Sequence, residues 1–176
     1  MTITSKKYTS PEQTTIEAVF DGETMFVPND PANRHYQLIQ EDIANGGDPI
    51  ALYVAPAPTN ADVNMERDRR IKEGFTFAGK VYDFDDKSKA NISGAALNAF
   101  MAIVAGAQVG DLTWHGGVSD FAWIAQDNTL TTMDAQTVVA FGQAAAAHES
   151  AHIFAARALK EANPIPSDYT DDAYWP

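Results

Sequence analysis

The residues best suited by type and spacing to do chemistry are His148-Glu149-Ser150-Ala151-His152. Two histidines four positions apart share one face of a helix and can reach a single ion. An acid between them can act as base on a metal-bound water. The pattern is a literal match to the His-Glu-x-x-His motif of zinc proteases. A zinc site needs at least one more protein ligand. The chain has no cysteine and four histidines, so that ligand must be His35, His115 or a carboxylate. His115 is the best candidate if the Trp114–Gly117 loop approaches the helix. The downstream acids Glu161, Asp168, Asp171 and Asp172 do not recur at the Gly-x-x-His spacing of three-histidine zinc proteases. Short patterns match by chance in alanine-rich helices. The expectation is therefore two packing histidines with Glu149 in solvent, with no metal, no cofactor and no catalytic residue.

Other constellations carry less. His115-Gly116-Gly117 supplies the backbone freedom of a turn, and no Lys or Arg follows to serve a phosphate. Trp114 and Phe121 read as core, with Trp123 open. Asn91-Ile92-Ser93 is a formal glycosylation acceptor without a secretory leader to give it meaning. No Gly-x-Ser-x-Gly elbow supports a serine hydrolase. The formal charge of −12 over 176 residues argues against nucleic acid and fits protein partners. No apolar run approaches the roughly 20 residues of a membrane span, and no charged-then-apolar leader is seen, so neither span nor signal peptide is expected.

The element that must position the histidines is a long helix from Asp134 to Asn163. Asp134 caps it, Met133 and Val138 sit at the spacing of a hydrophobic staple, and Asn163-Pro164 ends it. Val138, Phe141, Ala145, Ala155 and Leu159 make its apolar stripe, and Ala144 to Ala147 leave room for a close neighbour. Ahead of it the chain reads as hairpins alternating with helices. Ile16–Phe20 and Met25–Val27 flank the Asp21-Gly22 turn, after a polar Met1–Ser10 expected to fray. Asp30 is expected to cap a helix ending at Asn45-Gly46-Gly47, and Ile50–Val54 to add a strand. A charged helix to about Lys72 reads as solvated, with internal ion pairs. Phe75–Phe77 and Val81–Phe84 form a second hairpin, and a helix from Asp85 or Asp86 to about Ala105 carries Ile92, Ala96, Ala99 and Ile103, with Phe100 beside them. Leu112–Trp114, Phe121–Ile124 and Thr129–Thr131 read as strands. The class is α+β: small antiparallel hairpins alternating with helices, and a long C-terminal helix. The domains are a ββα docking module (1–54), a linker (55–62), an α+β domain (63–163) and a tail (164–176). The tail is acidic, and its Tyr169, Tyr174 and Trp175 are candidate protein-interaction residues.

One family matches this order of motifs. Gly74-Phe75-Thr76-Phe77-Ala78-Gly79-Lys80-Val81-Tyr82, Asn91-Ile92-Ser93-Gly94-Ala95, Gly110-Asp111-Leu112-Thr113-Trp114-His115-Gly116-Gly117, Asp120-Phe121-Ala122-Trp123-Ile124-Ala125-Gln126-Asp127-Asn128 and Met133-Asp134-Ala135-Gln136-Thr137 together resemble a tailed-phage tail- or baseplate-associated domain of unknown function, over about residues 64–163. Asn33-Arg34-His35-Tyr36 and Ile39-Gln40-Glu41-Asp42-Ile43, before Gly46-Gly47, are similar to segments of tail-fibre and baseplate-associated proteins. The resemblance is to a family with no established activity, and it implies a virion tail location, with host cytoplasm before assembly, and protein–protein assembly. The expectation is a non-enzymatic structural adaptor of a tail tip, baseplate or fibre, with other tail proteins and further copies of itself as partners; charge and the lack of a long apolar run add the expectation of neither nucleic acid nor membrane insertion. The alternatives are a tail-fibre assembly chaperone absent from the particle and a zinc-dependent hydrolase using His148, Glu149 and His152. Limited proteolysis tests the domain reading: dilute protease is expected to cut first within Ala55–Asn60 and leave a resistant product beginning near Asp62, whereas early cuts inside Asp85–Ala105 would move the boundary.

Overall fold

In the segment Thr15–Phe20, Ile16, Ala18 and Phe20 are buried while the residues between them stay half-exposed, the period-two pattern of a strand with one inward face. It is the middle strand of an antiparallel meander of β1 (Ile3–Tyr8), β2 (Thr15–Phe20) and β3 (Glu23–Pro28). Asp21 and Gly22 join β2 to β3 with φ of 47° and 91°, the pair of positive values that a two-residue type I′ turn requires. Helix α1 (Arg34–Ala44) contributes Ile39 to the core that the sheet begins. The computed structural model describes residues 1–176, which divide into a first unit, Met1–Pro56, and a second, Ala57–Pro176.

The first unit corrects three expectations. Residues 3–8 do not fray but pair with β2 along Ile3–Tyr8. The buried Lys6 of this strand forms an ion pair with Asp42 of α1, so a polar edge strand is held by charge. Asp30 does not cap α1. Its carboxylate accepts from the Ala32 N–H, and Asn33 is the cap, accepting from the N–H groups of His35 and Tyr36 at 2.9 and 3.2 Å. Ile50–Val54 supplies a single parallel bridge, Lys7 with Ala51, and no strand.

The second unit opens with α2 (Asn60–Lys72). Thr59 Oγ1 accepts from the Asp62 N–H while the Asp62 carboxylate accepts from the Thr59 N–H, a reciprocal cap. Residues 60–62, expected in the linker, therefore begin the helix. There follow β4 (Phe75–Phe77), β5 (Lys80–Tyr82), α3 (Asp86–Val104), β6 (Ala122–Ile124), β7 (Leu130–Thr132) and α4 (Ala135–Glu161). β4–β5 and β6–β7 are two-stranded antiparallel hairpins. The class is α+β with small antiparallel sheets and a long last helix. The hairpins are tied together by the Gln126 N–H donating to the Val81 carbonyl at 2.9 Å and by the Tyr82 hydroxyl bonded to Thr131 Oγ1 at 3.0 Å. Leu112–Trp114 is a turn, not the expected strand, because the Asp111 carboxylate accepts from the Thr113 N–H at 2.9 Å and competes with extended pairing.

Both hairpins seat on one ring of α4. Phe141 has its centroid 5.0 Å from Phe75, 5.4 Å from Phe77, 4.8 Å from Tyr82 and 5.2 Å from Trp123. The inward positions of α4 are Ala135, Val138, Phe141, Ala145, His152, Ala156 and Leu159, so Ala156 takes the buried place expected of Ala155. Next to Phe141, Gly142 faces α3. A Cβ at Gly142 would lie 2.6 Å from the Ala96 Cβ, so the missing side chain is what allows the two helices to come this close. Gly142→Ala is expected to destabilise the second unit by about 1–3 kcal/mol through overpacking, despite the roughly 1 kcal/mol helix advantage of alanine. Adding Ala96→Gly is expected to recover most of the overpacking loss. Urea denaturation of the two variants checks both statements.

Candidate functional site

His148 and His152 share a face of α4, with ring centroids 4.4 Å apart. Each donates to a backbone carbonyl: His148 Nε2–H to Ile71 at 3.3 Å, and His152 Nδ1–H to His148 at 2.8 Å. The His148 ring lies against Phe75 and Phe84, and the buried His152 stacks on Trp175. Burial, and then the neighbouring His152, push the His148 pKa below its ordinary value. Glu149 is not left to solvent as expected: its carboxylate pairs with Lys89 of α3. His115, considered as a third ligand, packs instead on Trp114 and Phe121. No group of three His, Cys, Asp or Glu side chains lies close enough together to hold a metal ion.

The tail returns to its own domain. Trp175 is buried against Val63, Ala156 and Leu159, and its Nε1–H donates to the Tyr169 carbonyl at 2.8 Å. The Arg70 guanidinium lies 5.3 Å from the Trp175 ring centroid and donates to the Thr170 carbonyl and the Asp172 carboxylate. Tyr169 packs on the same cluster, and Tyr174 keeps a partly open ring whose hydroxyl donates to Asp168 at 3.2 Å. Of the candidate docking residues Tyr169, Tyr174 and Trp175, Trp175 has its indole face and N–H both engaged inside its own unit. Helix α2 carries the internal ion pairs expected of it, but one face is buried, with Val63, Glu66 and Ile71 turned inward. Glu66, 9% exposed, accepts from Arg69 and Arg70 at 2.6 to 2.8 Å. Those guanidiniums, Arg69 first, hold its carboxyl down at about 2.

Two surfaces of α3 remain unaccounted for by the core. On one side, Asn91, Gly94 and Asn98 form a wall of an open cleft of about 650 Å³. Trp114, His115, Phe121 and Trp123 form the facing wall. The Trp114 Nε1–H donates to the Met133 carbonyl at 3.1 Å, which fixes its ring 4.8 Å from that of Phe121. Trp123, left open by the sequence, sits half-buried between Phe121, Phe141 and this cleft. Beside it on the helix surface, Leu97, Phe100, Met101 and Val104 are 63%, 53%, 58% and 68% exposed, a helical apolar stripe turned to solvent. Sequence reading placed Phe100 beside the inward stripe and missed the outward one. The available signal was a run from Ala90 to Gly110 without a single charge, apolar on more than one helix face.

Residues 54–174 match the family described as Domain of unknown function (DUF4376). The match covers nearly all of the second unit and includes most of the tail that folds back on α2. No curated protein and no solved structure matches the chain.

Unfolding followed against pH tests two of the shifted groups, Glu66 and His148. The folded Glu66 carboxyl has the lowered pKa, so its stabilisation is full above the ordinary carboxylate value and is lost as pH falls through about 2. The folded His148 also has the lowered pKa, but here the protonated ring is the disfavoured form. Stability is therefore expected to fall as pH drops from about 7 to about 5, below the ordinary imidazole value. His148→Gln is expected to flatten that descent, and an unchanged slope in this variant would assign the loss to another group.

Proposed function

This chain belongs to the DUF4376 family. We propose, from the ordered motifs that resemble tail-associated proteins, that it is a non-enzymatic structural protein of a bacteriophage tail tip, baseplate or tail fibre that works through protein–protein assembly. The observation that carries the assembly reading is the outward stripe Leu97, Phe100, Met101 and Val104. Four large apolar side chains at helical spacing, each more than half exposed, are what a helix keeps when a partner covers it. Full burial of such side chains is worth about 1.5–3 kcal/mol each.

A second copy of the chain is a partner that charge permits along α3. Identical copies carrying −12 each repel wherever their acids face one another. The stretch from Ala90 to Gly110 has no charged residue, so two copies meeting along α3 bring no like charges together there. The histidines support the non-enzymatic reading through what they do in the fold: both ring N–H groups serve backbone carbonyls, and Glu149 serves Lys89. The tail assignment itself rests on the ordered motifs that resemble tail-associated proteins.

Two measurements test this reading. Light scattering on the size-fractionated chain is expected to give an oligomer, and Leu97→Glu with Met101→Lys is expected to give a monomer of unchanged helicity, because both positions are already exposed in the single chain. A mass-spectrometric inventory of purified particles is expected to contain the protein, and particles made with the double variant are expected to lose it. A protein found in infected cells and missing from particles would point to the chaperone reading.

A further inference from the structure

Two glycines stand inside helices of the second unit, and only one has an internal reason. Gly142 is required by Ala96, as its missing Cβ shows. Gly94 lies in the body of α3, where glycine is less favourable than alanine because it loses more backbone freedom on folding. A Cβ at Gly94 would meet nothing within 4 Å. Neither a positive φ nor a neighbouring element demands the glycine. What it does is leave the helix backbone open toward the cleft, so that something outside the chain can approach it closely.

The surroundings describe that ligand. Asn91 and Asn98 stand one turn on either side of Gly94 on the same helix face, both exposed. An amide presents donors and an acceptor together, the match for a hydroxyl, which also does both. The exposed His115 imidazole adds a further polar group on the facing wall. The remainder of that wall is aromatic, from Trp114, Phe121 and Trp123, and the residues lining the cleft include no charged side chain. Aromatic faces beside uncharged amides suit a ring that is apolar on its C–H face and hydroxylated at its rim. An anion would find no cation there, and a cation no acid.

We propose that this cleft binds a neutral pyranoside, seated over Gly94 between the Asn91 and Asn98 amides, with a C–H face against the aromatic wall. The lining of the cleft includes none of the stripe residues, although Leu97 and Met101 neighbour Gly94 along the helix, so the site adds a ligand to the assembly role.

The probes are methyl α-glucopyranoside, methyl α-mannopyranoside, methyl β-galactopyranoside and N-acetylglucosamine, titrated into the full chain through the millimolar range, with tryptophan fluorescence and ligand-observed NMR as readouts. At least one is expected to saturate. Asn98→Ala is expected to weaken it roughly tenfold, the scale of one lost hydrogen bond. Gly94→Leu places a side chain where the ligand would lie, in space the chain leaves empty, and is expected to abolish binding while the melting temperature stays level or rises. Failure of all four sugars to saturate would overturn the proposal. So would a Gly94→Leu chain that binds as wild type. A saturable response to a proline-rich peptide without any to the sugars would overturn it too, and would give the cleft to a protein partner.

Discussion

The close approach of α3 to α4 at Gly142 is the constraint on which the second unit depends. Phe141, one residue away, holds the β4–β5 hairpin and Trp123 of β6 against α4. The contact with Ala96 fixes the rotation of α3 about its own axis. Once that rotation is set, the remaining faces of α3 have no freedom of their own. Asn91, Gly94 and Asn98 must turn toward the Trp114–Trp123 segment, and Leu97, Phe100, Met101 and Val104 must turn to solvent. Side chains at successive positions around a helix cannot be reassigned separately. One small residue therefore decides both what the unit presents and where.

The histidine pair shows how a motif can be literal and still serve packing. On α4, positions 148 and 152 face the seam where α2, the β4–β5 hairpin and the tail meet. Imidazole suits such a seam because it offers an aromatic face and one N–H, which here goes to the backbone carbonyl of Ile71 from one ring and of His148 from the other. His152 then stacks on Trp175, Trp175 lies beneath Arg70, and Arg70 is paired with Glu66. A polar chain of this kind keeps its members partnered where water is largely excluded, and it sets the register of the tail on α2.

Much of the fold was legible because its signals are local. Asp134, Met133 and Val138 mark the start of α4 by spacing alone, Asp21-Gly22 dictates its turn, and Asp85 caps α3. The α+β class followed from the alternation of hairpin and helix patterns. The parts that were missed are held by distant or non-apolar partners. β1 is polar and is anchored by Lys6 to Asp42, many residues away. Leu112–Trp114 has the composition of a strand, but Asp111 bends it locally. The tail reads as a free aromatic segment until the Val63, Ala156 and Leu159 seam is known to exist. The cleft and the outward stripe lie on one helix, and only the packing of α3 on α4 reveals which of its apolar residues are left over.

The placement of Trp175 has a consequence for synthesis. Its guanidinium partner on α2 and the Asp172 carboxylate that shares that guanidinium are 102 positions apart in the chain. On the ribosome, α2 emerges long before the indole that covers it. Until then Val63, Ala156 and Leu159 lack their lid, and the charged chain from Glu66 to Arg70 lacks its last member. The seam between α2 and the end of α4 is therefore a late event in folding, closed only after translation has passed the long helix. In that interval Val63 is apolar surface that the finished molecule buries completely.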